Sequence, residues 1–366
     1  MSARFPSIEI LHGDNFLRTK QKFSGNGLKA LVIGAGPSGS LSALLLLNKG
    51  LDVTILEKES FPREKPCAGG LTNKAYSLLE EIGLNPPYEK EINSFSFYWR
   101  TNLIREFETR YPVYTVKRSD FDYYLLKEAR KDGVNLFSHR DWKLSRVGKK
   151  FLLRTEDEKE EFDLVIGADG ATGNSAKLLG IRDKWRKKDL ISTISYEGEL
   201  DLSNREESIG IYFGYAKFGY SWIFPKQKVY SIGIGAYLPE SSDLGISFQD
   251  FLAENEINVS ASEWVGHPIP LFRIRRFCCE NSFLVGDSAG LGNPLTGEGV
   301  YQALRSAQIL TESDFSCSDY QKKIVSEFSR MYLRMGISYI FHKFFPKVQI
   351  KIWAKLLHKY LEGEIG

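Results

Sequence analysis

Three glycines near the start of the chain have the spacing G-x-G-x-x-G, which is typical of a turn that binds the phosphates of a dinucleotide. They are Gly34, Gly36 and Gly39 in the stretch GAGPSG, where Pro37 is a further candidate for cofactor contact. The first would make the tight turn, the second would leave room for a pyrophosphate, and the third would let a helix pack closely on a strand. The phosphates would bind at the helix N-terminus, because its unpaired N–H groups favour negative charge.

The residues on either side of these glycines predict the elements that position them. Residues 31–33 form a short apolar run that suits a buried parallel strand. A helix follows the glycines, and Asp52–Glu57 predict a second strand. Glu57 lies where an acid binds a ribose in such units, and Lys58 follows as a further candidate. Because strand, helix and acid agree with the glycine spacing, the sequence predicts a dinucleotide-binding unit.

A second group of cofactor-binding candidates occurs much later in the chain. Asp287 follows an apolar strand, where a carboxylate can reach a sugar-alcohol chain. A loop that starts near Pro294 and ends at Gly299 then opens a helix at Val300. Free N–H groups there stabilise negative charge, as on the edge of a reduced flavin. A cofactor that contacts both groups is long, which favours FAD over NAD. The external donor, whether NADPH, NADH or a ferredoxin, is not determined.

Residues 65–72, KPCAGGLT, place Cys67 beside two glycines. Glycines let the backbone approach a flat ring without intervening side chains. The cysteine could then donate or shuttle a proton at the reacting face. The alternative is that it is a small buried residue that fills space.

Taken together, these stretches resemble the flavoprotein group of aromatic hydroxylases and their relatives, over about residues 29–310. The resemblance also rests on VKRSDFD around Arg118, IGADGATGNSAK around Asp169, and GDSAGLGNPLTGEGVYQAL. Within that group, KPCAGGLT and GYSWIFPK are most similar to the geranylgeranyl reductase branch. That branch has a P-C-x-G-G motif beside the flavin and a Y-x-W-x-F-P-K motif that lines an isoprenoid pocket. The resemblance implies FAD-dependent saturation of isoprenoid double bonds in lipid or pigment side chains.

The resemblance also implies roles for individual residues. Beyond the glycine loop and Glu57, the implied FAD contacts are Cys67, Ala68, Gly69, Arg118, Trp142, Asp287 and the amides of Gly299 and Val300. The implied substrate pocket is formed by Gly70, Tyr220, Trp222, Phe224 and Pro294. Tyr212 and Phe213 are expected to be ordinary sheet core.

Reduction of an isolated alkene requires a hydride at one carbon and a proton at the other. The protein must therefore hold the alkene in a dry pocket and present one acid. Cys67 is the candidate catalytic residue, and a bound water or Tyr220 is an alternative donor.

Composition excludes several other classes of protein. The chain has 366 residues and a formal net charge of +3, too small to indicate nucleic-acid binding. The cysteines match no zinc spacing, the adjacent Cys278 and Cys279 suit no disulfide framework, and no metal is expected. Residues 1–20 lack the apolar core of a secretory signal, and no apolar run is long enough for a transmembrane helix. The expected location is the cytoplasm, with membrane association left open.

The predicted fold is α/β: an FAD-binding Rossmann-like core of the glutathione-reductase type, with an inserted antiparallel β-sheet and a helical C-terminal tail. Residues 28–92, 112–180 and 270–320 would form the discontinuous FAD-binding domain. Residues 93–111 and 181–269 would form the substrate domain, and 321–366 the tail.

The tail predicts a basic amphipathic helix. One face would carry Lys347, Lys351, Lys355 and Lys359, and the other Val348, Ile352, Trp353, Leu356, Leu357 and Tyr360. Such a helix can make a peripheral contact with an anionic bilayer, or it can dock on the body of the protein with its lysines in water. An isoprenoid or prenylated lipid substrate is compatible with either.

Three functions remain open at this point. The leading one is FAD-dependent reduction of a prenyl chain carried by a diphosphate, lipid, pigment or quinone. The first alternative is a flavin monooxygenase or halogenase-like enzyme, although the single tryptophan in SWIF does not favour a halogenase. The second is a non-catalytic flavoprotein that binds a prenyl lipid. Arg273, Arg275 and Arg276 could clamp a diphosphate, but a solvated strand edge is the commoner role of such a cluster.

Overall fold

A computed structural model of the protein describes residues 27–363, except 140, 157, 203–206, 242, 295 and 345, and no side chains within 331–349. Residues 1–20 and the side chains of Lys347 and Val348 therefore lie outside the described part. The strands are β1 (Lys29–Ile33), β2 (Asp52–Glu57), β3 (Gly70–Thr72), β4 (Lys90–Trp99), β5 (Asn102–Thr115), β6 (Asn135–Ser138), β7 (Lys143–Val147), β8 (Lys150–Arg154), β9 (Lys159–Phe162), β10 (Leu164–Gly167), β11 (Leu190–Gly198), β12 (Ile209–Phe213), β13 (Gly219–Pro225), β14 (Tyr230–Tyr237), β15 (Val265–Pro270), β16 (Cys278–Cys279) and β17 (Ser282–Leu284).

The helices are α1 (Pro37–Asn48), α2 (Asn73–Glu80), α3 (Arg118–Lys131), α4 (Ser175–Leu178), α5 (Leu244–Glu254), α6 (Gly286–Ala289), α7 (Val300–Glu312), α8 (Cys317–Phe344) and α9 (Pro346–Leu361). Within the described ranges, none of them combines the length and apolarity needed to cross a bilayer.

A six-stranded sheet forms the first layer, in the order β16-β17-β10-β1-β2-β6. Its strands are parallel except for the edge strand β16. After Lys29, strand β1 is apolar and buried, because helices cover the sheet. Helix α1 is buried almost all around, since it packs against α3 and α7 as well as the sheet. The α/β class and Rossmann-like core predicted from the sequence are confirmed.

An eight-stranded sheet forms the second unit, in the order β15-β11-β14-β13-β12-β4-β5-β3. In the middle of the chain, the predicted inserted sheet includes strands β11 to β14. The sheet was predicted to be antiparallel, and one pairing departs from this: β12 runs parallel to β4. Strand β3 lies entirely outside the predicted segment 93–111, and β4 and β5 extend past its ends. The sheet is therefore larger than the sequence indicated.

The cysteines differ from the sequence interpretation. Cys278 forms a disulfide with Cys317, which joins strand β16 to the first residue of α8. The expectation that these cysteines fit no disulfide was therefore wrong for this pair. The two cysteines meet because α8 returns to the edge of the six-stranded sheet. This is a tertiary contact that no local sequence spacing indicates. Cys67 and Cys279 are free thiols.

Candidate active site

The glycine loop between β1 and α1 has the geometry that its spacing predicts. Gly34 has φ of +105°, a left-handed conformation that favours glycine. A Cβ on Gly39 would lie 1.9 Å from the Gly34 carbonyl oxygen, so helix and loop require a glycine there. A Cβ on Gly36 would meet nothing closer than Arg63, at 3.6 Å. The space in front of Gly36 is therefore open, as a pyrophosphate site requires.

The carboxylate of Glu57 is fixed at the end of β2 by backbone donors. Its Oε2 accepts from the N–H of Ala35 at 2.7 Å, and its Oε1 accepts from those of Lys58 and Glu59 at 2.8 and 2.9 Å. This network holds the acid beside the glycine loop. Contact of Glu57 with a ribose remains a prediction.

One cavity of about 1810 Å³ connects the glycine loop to the eight-stranded sheet. Its walls contain every site residue predicted from the sequence except Gly39, which packs behind the loop. They are Gly34, Gly36, Pro37, Glu57, Lys58, Cys67, Ala68, Gly69, Gly70, Arg118, Trp142, Tyr220, Trp222, Phe224, Asp287, Pro294, Gly299 and Val300. The fold thus brings together residues from seven separate stretches of sequence.

Features of the cavity wall fit FAD. The N-terminal ends of α1 and α7 both face the cavity, so two sets of helix N–H groups are available to a pyrophosphate and to a flavin edge. Asp287 faces the same space, and burial raises the pKa of its carboxyl although Lys65 and Arg118 oppose the shift. The cradle, helix ends and carboxylate therefore suit a long anionic dinucleotide.

The Cys67 segment lies between the two ends of the cavity. The Gly69 N–H lies 3.4 Å from the Cys67 sulfur, and the Ser231 hydroxyl donates to the Cys67 carbonyl at 3.2 Å. The glycines were expected to admit a flat ring, but the structure gives them further reasons. Gly69 has φ of +76°, and a Cβ there would lie 2.4 Å from a backbone oxygen; a Cβ on Gly70 would lie 2.7 Å from the ring of Phe224. Packing alone therefore requires both glycines.

A buried arginine lies at the back of this segment. Arg118 donates to Asp122 through Nε at 2.7 Å and Nη2 at 2.8 Å, and Arg63 lies 3.3 Å from the same carboxylate. Burial opposes the charge of Arg118, but the charge of Asp122 and the hydrogen bonds to it outweigh burial and raise the pKa of Arg118. The guanidinium is therefore a permanent cation near the Cys67 sulfur.

Lys65 and His267 form a polar pair in the cavity wall that the sequence analysis missed. The Lys65 ammonium donates to the His267 ring, with 2.6 Å between Nζ and Nε2. Burial lowers the pKa of Lys65 to about 8. Burial and the charges of Lys65 and Arg118 lower the pKa of His267 to about 4. The pair is thus a cationic lysine and a neutral histidine at neutral pH; a lone histidine in a strand gave no sequence signal.

A second missed pair supports the Cys67 segment. Lys226, the last residue of the GYSWIFPK stretch, has a fully buried side chain that bonds Glu197. A Cβ on Gly69 would lie 2.8 Å from its Nζ. The lysine of that stretch therefore packs directly against the segment.

The far part of the cavity is an apolar arm formed by alternate residues of the eight-stranded sheet. Trp222 and Phe224 of β13 face it, as the resemblance implied, together with Tyr220. Phe213 is buried in the core of the sheet, as expected, but it also lines the arm, whereas Tyr212 packs on Phe251 on the opposite face. The two-residue period of β12 explains this split. Tyr220 donates its hydroxyl hydrogen to the Thr296 carbonyl, and burial raises its pKa.

Helix α9 closes the apolar arm. Trp353, Leu357, Tyr360 and Leu361 line the cavity, and Ile350 is also buried although the predicted apolar face omitted it. Lys351 and Lys355 are exposed, as the docked arrangement predicts. The apolar stripe is therefore used for packing against the protein body.

The arginines of LFRIRRF lie outside the cavity wall. Arg273 and Arg275 lie 3.1 and 3.9 Å from Asp189, and Arg275 also stacks over Trp185. Arg276 donates to the carbonyl of Cys278. Their contacts are structural, which disfavours a diphosphate clamp at this position.

Comparison with known proteins adds the family. A family model described as FAD binding domain matches residues 28–312, and the chain belongs to that family. It is an FAD-dependent oxidoreductase, and the resemblance to the geranylgeranyl reductase group is confirmed.

Two relatives and a solved structure illustrate the similarity. An uncharacterized protein of Methanosarcina barkeri is 29% identical over 297 residues, 77% of this chain and 73% of that protein. A digeranylgeranylglycerophospholipid reductase of Methanocaldococcus jannaschii is 26% identical over 342 residues, 85% and 83% of the two chains. A geranylgeranyl bacteriochlorophyll reductase-like protein of Thermoplasma acidophilum superposes with a TM-score of 0.73 at 22% identity, covering 92% and 90%. Flavin-dependent halogenases and monooxygenases share the fold, so the fold alone does not define the reaction.

Proposed function

We propose that the protein saturates isolated carbon–carbon double bonds of a geranylgeranyl or similar prenyl chain, with FAD as the cofactor. The observation that carries the proposal is the single cavity in which a glycine cradle and an apolar aromatic arm meet at the Cys67 segment. A polar cofactor and a long hydrocarbon chain would otherwise need separate sites. Relatives named as digeranylgeranylglycerophospholipid reductases support a membrane-lipid precursor as the carrier of the chain.

The two parts of the cavity suggest different roles for the residues that line them. Gly34, Gly36 and the N-terminal end of α1 would hold the pyrophosphate, and Asp287 with the N-terminal end of α7 would hold the flavin half. Reduced FAD supplies a hydride when it is bound. Phe213 and Phe224, which carry no polar side-chain atom, and the large ring of Trp222 would exclude water from the alkene.

Cys67 is the proposed proton donor. It lies between the cofactor cradle and the apolar arm, with the Arg118 guanidinium beside it. Tyr220 is a weaker candidate, because its hydroxyl hydrogen is already donated to the Thr296 carbonyl and burial raises its pKa. Release of that proton would also break the hydrogen bond to Thr296.

The experiment is anaerobic. The flavin of the purified holoprotein is reduced with dithionite, a geranylgeranylated glycerophospholipid is added, and flavin absorbance is followed while the product is analysed by mass spectrometry. We expect flavin reoxidation that matches the gain of two hydrogen atoms per double bond. The proposal is wrong if the flavin stays reduced in the presence of the prenyl lipid and the lipid is recovered unaltered. Reoxidation of that flavin by oxygen alone would favour a monooxygenase.

A further inference from the structure

Helix α9 makes two kinds of contact with the cavity. One is a polar contact at its C-terminal end: the Tyr360 hydroxyl donates to Glu298 Oε2 at 2.5 Å. The other oxygen of Glu298 accepts from the Thr72 hydroxyl at 2.7 Å, and the Lys74 ammonium lies 4.7 Å from the centroid of the Tyr360 ring. Glu298 immediately precedes the loop residue that caps α7, so this network ties α9 to the cofactor side of the cavity.

The second contact is aromatic and lies two turns earlier on the same face. The Trp353 ring lies 5.5 Å from Phe213, 5.7 Å from Tyr220 and 5.7 Å from Phe97, measured between centroids. Seven residues separate Trp353 from Tyr360, which is about 10 Å along a helix. Trp353, the largest side chain on this face, therefore lies farther along the arm than the hydrogen bond of Tyr360, and it packs against the sheet.

We propose that α9 selects the substrate chain: Trp353 is a specificity-determining residue that limits the hydrocarbon accommodated by the arm, and Tyr360 is a positioning residue that holds the helix through Glu298. The inference rests on the proposed function for the nature of the chain. It goes beyond that function because it assigns chain selection to the C-terminal helix.

Two physical arguments support this assignment. Trp353 is 5% exposed and Phe97 is fully buried, so the ring cannot move aside without disturbing the core of the sheet. Glu298 has a carboxyl whose pKa is raised by burial, and its hydrogen bonds to Tyr360 and Thr72 oppose that shift. Removal of the Tyr360 hydroxyl would leave one oxygen of a buried acid without this donor, which favours movement of α9.

Chain selection is tested on the holoprotein with geraniol, farnesol and geranylgeraniol, whose binding is measured by calorimetry with the flavin oxidised. In Trp353→Ala, we expect the affinity for geranylgeraniol relative to geraniol to rise about tenfold. Trp353→Phe should give a smaller rise and protects the test against misfolding of the alanine variant. The matched control is Leu356→Ala, on the same helix but outside the cavity wall, which should change the ratio less than about twofold. Equal ratios in wild type, Trp353→Ala and Trp353→Phe would overturn the proposal.

Positioning is tested with Tyr360→Phe. We expect the KM for the geranylgeranyl substrate to rise about tenfold while kcat and FAD content stay within about twofold. A purely structural role would lower kcat and FAD content together. The control is Tyr215→Phe, which removes another tyrosine–glutamate bond, from Tyr215 to Glu254 at 3.0 Å, away from the cavity. An unchanged KM in Tyr360→Phe would reject the positioning role.

The two proposals fail in different ways. If the affinity of the wild type for the alcohols depends on chain length and on Trp353, yet the protein reduces no double bond, chain selection by Trp353 is supported and the reductase function is rejected. If the wild type reduces prenyl chains and the Trp353 variants keep its selectivity, the reductase function is supported and chain selection by Trp353 is rejected.

Discussion

The two ends of the cavity are built by different means. The cofactor end relies on backbone: a glycine loop, two helix N-termini and a carboxylate fixed by three N–H groups. The substrate end relies on side chains contributed by β12, β13 and α9, which are far apart in sequence. Backbone geometry tolerates few substitutions, whereas an apolar wall can change shape by exchange of side chains. The backbone therefore sets the shape of the end where we propose that FAD binds, whereas side-chain packing sets the shape of the end proposed for the substrate.

Substitutions at two glycines of the same loop should have the strongest consequences, and these should differ from each other. Gly39→Val should prevent folding, because its Cβ would lie 1.9 Å from a backbone oxygen. Gly36→Val should fold but lose FAD, because its side chain would enter the open space where we propose that the pyrophosphate binds. The measurements are soluble yield, the melting temperature of the apoprotein and flavin absorbance. A Gly36→Val protein with the wild-type flavin content would break the comparison at the cofactor end.

At the boundary between the two ends, Cys67→Ser should retain FAD and lower the rate of prenyl reduction at least about 100-fold. The reason is that a hydroxyl is a much weaker acid than a thiol at nearly the same size. Single-turnover flavin reoxidation measures the rate. Wild-type rates would return Cys67 to a purely structural role.

Behind the Cys67 segment, we expect a substitution to lower stability without abolishing the fold. Glu197→Gln leaves the buried ammonium of Lys226 without its charged partner and should lower the free energy of unfolding by about 3 kcal/mol. Urea denaturation of the apoprotein measures this. The exposed pair of Lys217 and Glu240 is the control, since Glu240→Gln should cost less than about 1 kcal/mol.

The smallest predicted effect is a dependence of stability on pH. His267 has a folded pKa of about 4 against 6.5 for the model compound, so the unfolded chain binds more protons between these values. Stability from this group is therefore complete above about pH 6.5 and is lost as pH falls towards 4, by at most about 2 kcal/mol after solvent screening. His267→Gln should flatten the curve relative to wild type over that window. Parallel curves would show that His267 does not titrate in this way.

The sequence predicts the cofactor end well because its signals are local. Gly34, Gly36 and Gly39 lie within six residues, and each spacing has one geometric meaning. The substrate end is predicted only where a motif carries it, as for Trp222. The facing of Phe213 depends on the register of β12, which local composition does not set.

Tertiary contacts explain what the sequence missed. Tyr360 meets Glu298 and Cys278 meets Cys317 only because the C-terminal helices return to the body of the protein. Lys65 contacts His267 in the cavity wall, although the two residues are 202 positions apart in sequence. The amphipathic pattern of α9 did predict a buried face, but it left open whether lipid or protein covers that face.

Reduction of the prenyl chain is tested by anaerobic single turnover of the dithionite-reduced holoprotein in heavy water, with a geranylgeranylated glycerophospholipid and analysis of the product by mass spectrometry. We expect flavin reoxidation and saturation to proceed together, and each reduced double bond to carry two deuterium atoms, because both the hydride and the proton derive from solvent-exchangeable positions. Recovery of unaltered lipid beside flavin that remains reduced until oxygen is admitted would contradict this expectation.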